Sequence, residues 1–198
     1  VMMVVAEFIP LANPEFEPGP PGEASIELSR VVDRAIREAK CIDFKKLCVT
    51  PREKVWMVFI DIDILDDDGN LIDAAGIAAM AALLDARMPA LKEDNKPDYG
   101  NKTDKKLPIS GVAVSTTFAK INGRIIADPS YSEWEALDAR LTVGTVDKEG
   151  HTKFSSMQKG GVSGFTLEEI DYLLEKALEL NGFLHSFFIT RTFSVCCQ

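Results

Sequence analysis

The chain has 198 residues, of which 46% are hydrophobic and 27% are charged, and its formal net charge is −9. This length and apolar content suffice for one globular domain with a sizeable core, or for two small lobes that share one core. The negative charge argues against a protein that binds nucleic acid alone through a broadly basic surface. Any phosphate recognition must therefore come from a local group of cations, or from a partner that shares the site.

The composition indicates neither a metal site nor a membrane anchor. The cysteines are Cys41, Cys48, Cys196 and Cys197. They form no CxxC pair and no metal-ligand spacing with the two histidines, which predicts free thiols in a reducing cytoplasm. No run of eighteen apolar residues occurs, so no membrane span is predicted. We expect a cytoplasmic protein without a cofactor, a metal or a membrane partner.

The first elements predicted along the chain are a strand, a stiff loop and a helix. Residues 1–11 are typical of a buried strand entered midway, which suggests further residues before them in the natural polypeptide. Residues 13–22 form a loop rich in proline and glycine. Residues 25–40 predict an amphipathic helix whose apolar side contains six residues: Leu28, Val31, Val32, Ala35, Ile36 and Ala39.

Three arginines lie nearly opposite that apolar side. Arg30, Arg34 and Arg37 follow one another at spacings of four and three. A guanidinium stays charged and its fork of donors matches phosphate oxygens, so the row is a candidate phosphate-binding face. The alternative is an ordinary solvated face, since each arginine has an acidic residue three or four positions away. The pairs would be Glu27 with Arg30, Asp33 with Arg37, and Glu38 with Arg34.

A strand, an acidic turn and an alanine-rich helix come next. Residues 55–65 predict a long strand, and residues 66–70, DDDGN, predict a turn. Residues 73–88 predict a helix that is apolar on almost every side and closed by Pro89, which we expect to be central and buried. The aspartates are candidate ligands of a divalent cation, although their spacing to Gly69 is not that of an EF-hand, and a solvated turn is the alternative. These aspartates are Asp61, Asp63, Asp66, Asp67 and Asp68.

The start of this helix is also a candidate phosphate site, because the free N–H groups of a helix N-terminus bind anions. However, no lysine, arginine, serine or threonine lies between Gly69 and Ala78. Asp73 stands where the helix begins, and we expect its carboxylate to cap the helix and repel phosphate.

The remainder predicts one exposed loop, two hairpins and a final helix. The loop covers residues 90–106. One hairpin turns at Asn122-Gly123, and the other joins residues 140–146 to residues 152–158. Thr166 and Glu169 form a capping box for a helix expected to end at Leu180 or Asn181, with Gly182 as its left-handed stop. Asp128 is a lone candidate general acid, general base or metal ligand, with turn initiation as the alternative. The fold class is α+β.

Four stretches of the sequence resemble the RNase PH family and, within it, the non-catalytic ring subunit of the archaeal exosome. They are FEPGPPGEASIELSRVVDRAIREAKCIDFKKL, KVWMVFIDIDILDDDGNLIDAAGIAAMAAL, ADPSYSEWE and MQKGGVSGFTLEEI. The resemblance implies an RNase PH-like domain over residues 1–182, with mixed sheets packed around a central buried helix and flanking helices. Family members carry a further segment before the first strand, and residues 183–198 depart from the family as an atypical C-terminal tail.

The resemblance also implies that both halves of the family's catalytic site are degenerate. Catalytic members hold phosphate with a Thr-Arg or Ser-Arg pair just after the Asp-Gly turn, and Leu71 and Ile72 match those positions. Their catalytic aspartates lie in a motif resembling DLDYAED, where this chain keeps Asp128 but has Ser130 and Trp134. Leucine, isoleucine and tryptophan cannot stabilise an attacking phosphate. The resemblance therefore implies no catalytic residue in this chain.

The implied function is to scaffold a catalytic partner and to help position RNA for 3′→5′ phosphorolytic degradation. In the archaeal exosome the ring is similar to a trimer of heterodimers, and the inactive subunit lends arginines to the RNA path. Arg30 and Arg34 match those positions best, with Arg37 in the same row. The implied partners are a catalytic RNase PH-like subunit in a hexameric ring, exosome cap proteins and RNA. Two alternatives stay open: the chain is itself a phosphorolytic exoribonuclease, or it is a pure scaffold without RNA contact.

Overall fold

Strands and helices alternate in mixed order in the computed structural model, which describes residues 1–93 and 95–194. The strands among these residues are β1 (Met2–Phe8), β2 (Cys48–Thr50), β3 (Lys54–Val55), β4 (Val58–Ile64), β5 (Arg87–Leu91), β6 (Pro97–Lys106), β7 (Val112–Ile121), β8 (Arg124–Ala127), β9 (Ala139–Lys148) and β10 (His151–Gly161). The α-helices are α1 (Glu23–Glu38), α2 (Leu71–Asp85), α3 (Tyr131–Glu135) and α4 (Leu167–Ser194), and a 3₁₀ helix covers Phe44–Leu47. The α+β prediction is confirmed.

The N-terminal half is built on a parallel pair of strands. β1 pairs with β4 in register from Met2 opposite Val58 to Phe8 opposite Ile64, and α1 makes the connection between them. The predicted apolar side of α1 is buried against β1 and α2. The strand expected over residues 55–65 is interrupted at Trp56 and Met57, and Val55 pairs with Cys48 of β2 instead.

The C-terminal half is a four-stranded antiparallel sheet in the order β10-β9-β7-β8. Both predicted hairpins are confirmed. Asn122 and Gly123 have φ of 47° and 76°, as the tight turn between β7 and β8 requires. Helices cover both faces, because Thr117 of β7 bonds to α2 whereas Phe118 packs in a cluster with Leu173 of α4.

Helix α2 differs from its prediction in three ways. It begins at Leu71 and ends at Asp85, before Pro89, which lies in β5. Only one side of it is buried, and the exposed side consists of small residues: Ala74, Ala78, Ala81 and Ala82. The expectation of a helix closed by Pro89 and buried all round is therefore wrong. Proline is accommodated in β5 because the ladder is irregular on both sides of it.

The loop predicted over residues 90–106 is also wrong. β5 and β6 pair there as an antiparallel hairpin from Arg87 opposite Lys106 to Leu91 opposite Pro97. The hairpin is a separate two-stranded sheet with many exposed residues, so its side chains need not be apolar.

Helix α4 begins with the predicted capping box. Thr166 N donates to Glu169 Oε2 at 2.8 Å, and Glu169 N donates to Thr166 Oγ1 at 3.2 Å. The expected end at Gly182 is wrong, since α4 continues to Ser194. It does so because Phe188 is buried and Leu184 packs against the same main core.

The described cysteines, Cys41 and Cys48, are free thiols, whereas Cys196 and Cys197 lie outside the described residues. Burial raises the pKa of Cys41 to about 11. None of the described helices is both long and apolar enough to cross a membrane.

Candidate functional site

Three exposed arginines of α1, here called the arginine face, have very different surroundings. Arg30 makes no hydrogen bond or ion pair with the described residues. Arg34 Nη1 donates to Oε1 of Gln158 on β10 at 3.2 Å. Arg37 donates to both carboxylate oxygens of Asp33, at 2.9 Å from Nε and 2.5 Å from Nη2, and Nη2 also bonds to the Met2 carbonyl at 2.9 Å.

The solvated-face alternative therefore holds at one arginine and fails at two. Asp33 pairs with Arg37 as that alternative predicts, and this hydrogen bond raises the pKa of Arg37. Glu27 instead pairs with Arg140 of β9 at 2.5 Å, which leaves Arg30 without a carboxylate among the described residues. Among the three arginines of this face, Arg30 and Arg34 are thus the more available to an outside anion.

The acidic turn before α2 packs closely against the backbone at the start of α3. Asp67 Oδ1 accepts from Gly69 N at 3.0 Å, and Gly69 has φ of 86°. A Cβ at Gly69 would lie 2.5 Å from the carbonyl carbon of Ser130, so backbone packing and dihedral angle both require glycine. Asp61 and Asp63 are exposed on β4, and no three His, Cys, Asp or Glu side chains converge as a metal site within the described residues.

Asp73 does not cap its own helix, contrary to the prediction. Its carboxylate accepts from the backbone N and Oγ1 of Thr117 on β7, at 2.7 and 2.8 Å, and from Asn70 Nδ2 at 2.9 Å. Burial raises the pKa of Asp73 to about 6, more than these hydrogen bonds lower it. The third residue of α2 faces β7, so Asp73 joins the helix to the sheet.

Asn70 connects this buried carboxylate to Asp128. Asn70 Nδ2 also donates to Asp128 Oδ1 at 2.8 Å, so one amide group serves two carboxylates. Asn70 has a left-handed φ of 43°, and Asp128 one of 56°. The structure therefore brings Asp128 beside the start of α2, which begins at Leu71.

The same region contains a cavity of about 300 Å³. Leu71, Ile72 and Trp134 line it, so three of the predicted degenerate-site residues are brought together. Ser130 does not line the cavity. Its N–H and Oγ both donate to Glu133 Oε2 at 2.9 Å, which fixes the start of α3.

Arg140 is a residue of this site that the sequence analysis missed. It is 6% exposed, its Nη2 pairs with Glu27, and its guanidinium carbon lies 5.3 Å from the centre of the Trp134 ring. A Cβ at Gly160, its partner on β10, would lie 2.6 Å from Arg140 Nε. The position of an arginine in an otherwise apolar strand could have indicated a buried, paired cation. Its partner Glu27 could not be identified, because it is distant in the sequence.

The cavity is acidic despite this arginine. Its lining includes four carboxylates: Glu15, Glu27, Asp67 and Glu135. Arg140 is the one cation among the described lining residues, and Glu27 already neutralises it. Carboxylates around a mostly apolar wall disfavour a bound phosphate.

Family models match both halves of the chain. The model for domain 1 of the 3′ exoribonuclease family matches residues 1–89, and the model for domain 2 of the same family matches residues 111–179. The two matched regions correspond to the halves built on the parallel strand pair and on the antiparallel sheet.

Individual proteins agree with these models. The chain is 46% identical over 180 residues to the exosome complex component Rrp42 of Methanothermobacter thermautotrophicus, and the match covers 90% of this chain and 65% of that protein. It superposes on a chain of the Archaeoglobus fulgidus exosome with RNA bound to the active site, with a TM-score of 0.84 and 42% identity over 94% of this chain and 70% of that chain. An archaeal exosome core chain gives a TM-score of 0.79 and 37% identity over 95% and 68%. The chain thus spans somewhat less than two thirds of the length of the curated relative.

Proposed function

The chain belongs to the 3′ exoribonuclease (RNase PH) family, and from this premise we propose that it is a non-catalytic ring subunit of an archaeal exosome. In this proposal it scaffolds a catalytic RNase PH-like partner in a hexameric ring of three heterodimers. It also helps position RNA for 3′→5′ phosphorolytic degradation in the cytoplasm, with exosome cap proteins as further partners. The similarity to Rrp42 and to a chain of the exosome with RNA bound to the active site supports this assignment.

One observation carries the proposal: Arg30 and Arg34 lie outside the cavity that Leu71, Ile72 and Trp134 line. Leu71 and Ile72 stand where catalytic relatives would hold phosphate, and the lining of that cavity is acidic. Arg30 and Arg34 are exposed on α1, where they can contact phosphates that pass along the surface. This separation suits a subunit that holds RNA and leaves the chemistry to its neighbour.

The three arginines are expected to contribute unequally. Arg30 would contribute most, because no described residue competes for it. Arg34 would exchange its hydrogen bond to the neutral amide oxygen of Gln158 for one to a charged phosphate oxygen. Arg37 would contribute least, because Asp33 already accepts from two of its nitrogen atoms.

RNA binding by the reconstituted ring tests the arginine face. We expect Arg30→Ala with Arg34→Ala to weaken binding and to reduce the slope of log K against log salt by about 1.4, at ~0.7 per phosphate contact on single strands. The matched control is Arg124→Ala, which removes an exposed arginine from β8 at the opposite edge of the sheet. If the double variant assembles normally and the salt dependence of its RNA binding is unchanged, the function is that of a pure scaffold.

Activity of the isolated chain tests the non-catalytic assignment. We expect no phosphate-dependent shortening of a short RNA by this chain alone, and restored activity once the catalytic partner is added. Size-exclusion chromatography of the same mixtures reports assembly. Phosphorolysis by the chain alone would show that it is itself the enzyme, and it would then depend on Asp128.

A further inference from the structure

Helix α1 lies alongside β10, which is an edge strand of the antiparallel sheet. Near the start of the helix, Glu27 pairs with Arg140, whose partner in the ladder is Gly160 of β10. Two turns later, Arg34 Nη1 donates to Gln158 Oε1 at 3.2 Å. Later positions of the helix thus meet earlier positions of the strand. The helix and the strand therefore run in opposite directions, and β10 borders the arginine face.

The end of α1 reaches the level of Lys153 on the same strand. Cys41 follows this end, and its thiol is hydrogen-bonded to the backbone of Ala113 on β7. Ala113 pairs with Val146 of β9, and Val146 pairs with Lys153 of β10. The ladder therefore places Lys153 in line with the end of the helix, beyond the level of Arg34.

Lys153 and Gln158 lie on the same face of the sheet as α1 and α2. They are five positions apart, which would place them on opposite faces of a regular strand. A bulge in β10 between them shifts the alternation by one residue. Val146, the partner of Lys153, is accordingly buried in the main core. The partner of Gln158 bonds to Thr117, whose hydroxyl bonds to α2.

This surface carries positive charge although the chain is acidic. The chain has 31 acidic residues, but none of them lies in β10. Lys153 is exposed and, like Arg30, forms no ion pair with the described residues. Glu38, at the end of α1, is an exposed carboxylate that opposes these cations. The arginine face and Lys153 thus form a series of cations, with the neutral amide of Gln158 beside Arg34.

We propose that an RNA strand bound at the arginine face continues across β10, where Gln158 and Lys153 contact it. Separate cations with a neutral polar group between them suit the repeated phosphates of a single strand. When a phosphate takes the place of Gln158 as the partner of Arg34, the released amide can donate to a sugar or phosphate oxygen. The inference rests on the proposed function, because it extends the same RNA-binding surface.

The salt dependence of RNA binding by the reconstituted ring tests the contribution of Lys153. We expect Lys153→Ala to reduce the slope of log K against log salt by about 0.7, the value for one phosphate contact on a single strand. The matched control is Lys159→Ala, which removes the same charge from the same strand. Lys159 lies on the opposite face, since its partner Leu141 packs in a cluster with α4. The slope of this control should therefore stay unchanged.

Two exchanges at Gln158 test the other contact. Gln158→Glu places a carboxylate beside the guanidinium of Arg34, and we expect the slope to fall by about 0.7, as in Arg34→Ala. The two exchanges combined should reduce the slope no further, because they remove the same contact. Gln158→Met keeps the length of the side chain without its amide. It should preserve the slope and lower the affinity by about threefold, the effect of one hydrogen bond.

An unchanged slope in Lys153→Ala, or an equal reduction in Lys159→Ala, would overturn the proposal. Size-exclusion chromatography of each ring reports assembly. If Lys153→Ala prevents assembly and Lys159→Ala does not, this face of β10 contacts a neighbouring subunit, and the proposal is wrong. Circular dichroism of the variant chain establishes that it is folded.

Failure of this proposal is distinguishable from failure of the proposed function. If Arg30→Ala with Arg34→Ala reduces the slope and Lys153→Ala does not, the arginine face binds RNA and its extension across β10 is wrong. If Lys153→Ala reduces the slope and the double arginine variant does not, the role proposed for α1 is wrong and the contact on β10 stands.

Discussion

Helix α1 contributes residues both to the arginine face and to the cavity, and the cations of the two regions have different surroundings. Glu27 of α1 belongs to the cavity, and Arg30, one turn later, belongs to the face. On the face, Arg30 and Arg34 are exposed, whereas Arg140 in the cavity is buried and paired. A net charge of −9 therefore says little about local recognition. What matters is which carboxylate lies within reach of which cation.

Burial explains why Glu27 pairs with Arg140 and not with Arg30. The Arg140 side chain is only 7% exposed, so its charge is poorly solvated and its attraction to a carboxylate is strong. Arg30 is exposed, and a surface pair at a spacing of three residues would gain little. The pairing of Glu27 with Arg140 thus leaves Arg30 without a carboxylate partner among the described residues.

Replacing Asp73, whose carboxylate joins α2 to Thr117 of β7, is expected to change the stability most. Burial raises the folded-state pKa of Asp73 from 3.8 to about 6, so the folded protein holds this proton more tightly than the unfolded chain. The resulting stabilisation is complete below pH 4 and is lost as the pH rises through 6, by about 3 kcal/mol in the free energy of unfolding. Asp73→Asn should remove this pH dependence in urea denaturation. The control is Asp85→Asn, at the exposed end of the same helix.

If Asp73→Asn and the unmodified chain lose stability in parallel between pH 4 and pH 7, the carboxylate is not the titrating group.

An intermediate effect is expected from Glu27→Gln, which leaves the buried guanidinium of Arg140 without its carboxylate partner. We expect a loss of about 2 kcal/mol in the free energy of unfolding, because a buried guanidinium loses its charged partner. Inorganic phosphate should then raise the Tm of this variant. Glu38→Gln removes the same charge from an exposed position of α1 and should show no phosphate effect. Equal Tm shifts in both variants would mean that phosphate acts through overall charge.

The smallest effect on stability is expected from Asp33→Asn, which removes the carboxylate that pairs with Arg37 on the arginine face. An exposed ion pair four residues apart contributes only about 0.5 kcal/mol. In the assembled ring, however, releasing Arg37 should increase the salt slope of RNA binding by about 0.7, the value for one phosphate contact. An unchanged slope would place Arg37 away from the RNA.

Features specified by neighbouring residues could be predicted from the sequence. The Asn122-Gly123 turn, the capping box of α4 and the apolar side of α1 each depend on residues within a few positions of one another. The β5–β6 hairpin could not be recognised in this way, since its charged residues do not alternate with apolar ones. Gly182 was misleading because contacts of Phe188 with the distant core continue the helix.

The candidate site was predictable only in part, for the same physical reason. Leu71, Ile72 and Trp134 were identified through the resemblance, and the structure places them around one cavity. Arg140 and the role of Asp73 were missed, because their partners lie in other elements: Glu27 for the arginine and Thr117 for the aspartate. Local periodicity carries no information about such pairs.

The position of Arg140 in the cavity depends on Gly160, a residue that does not itself line the cavity. The missing side chain on β10 provides the space that the guanidinium of Arg140 occupies. Any larger residue at this position would push the arginine toward the helix or the tryptophan, with no change to the lining itself. A single exchange in an edge strand is therefore one route by which a relative of this chain could acquire a different ligand preference.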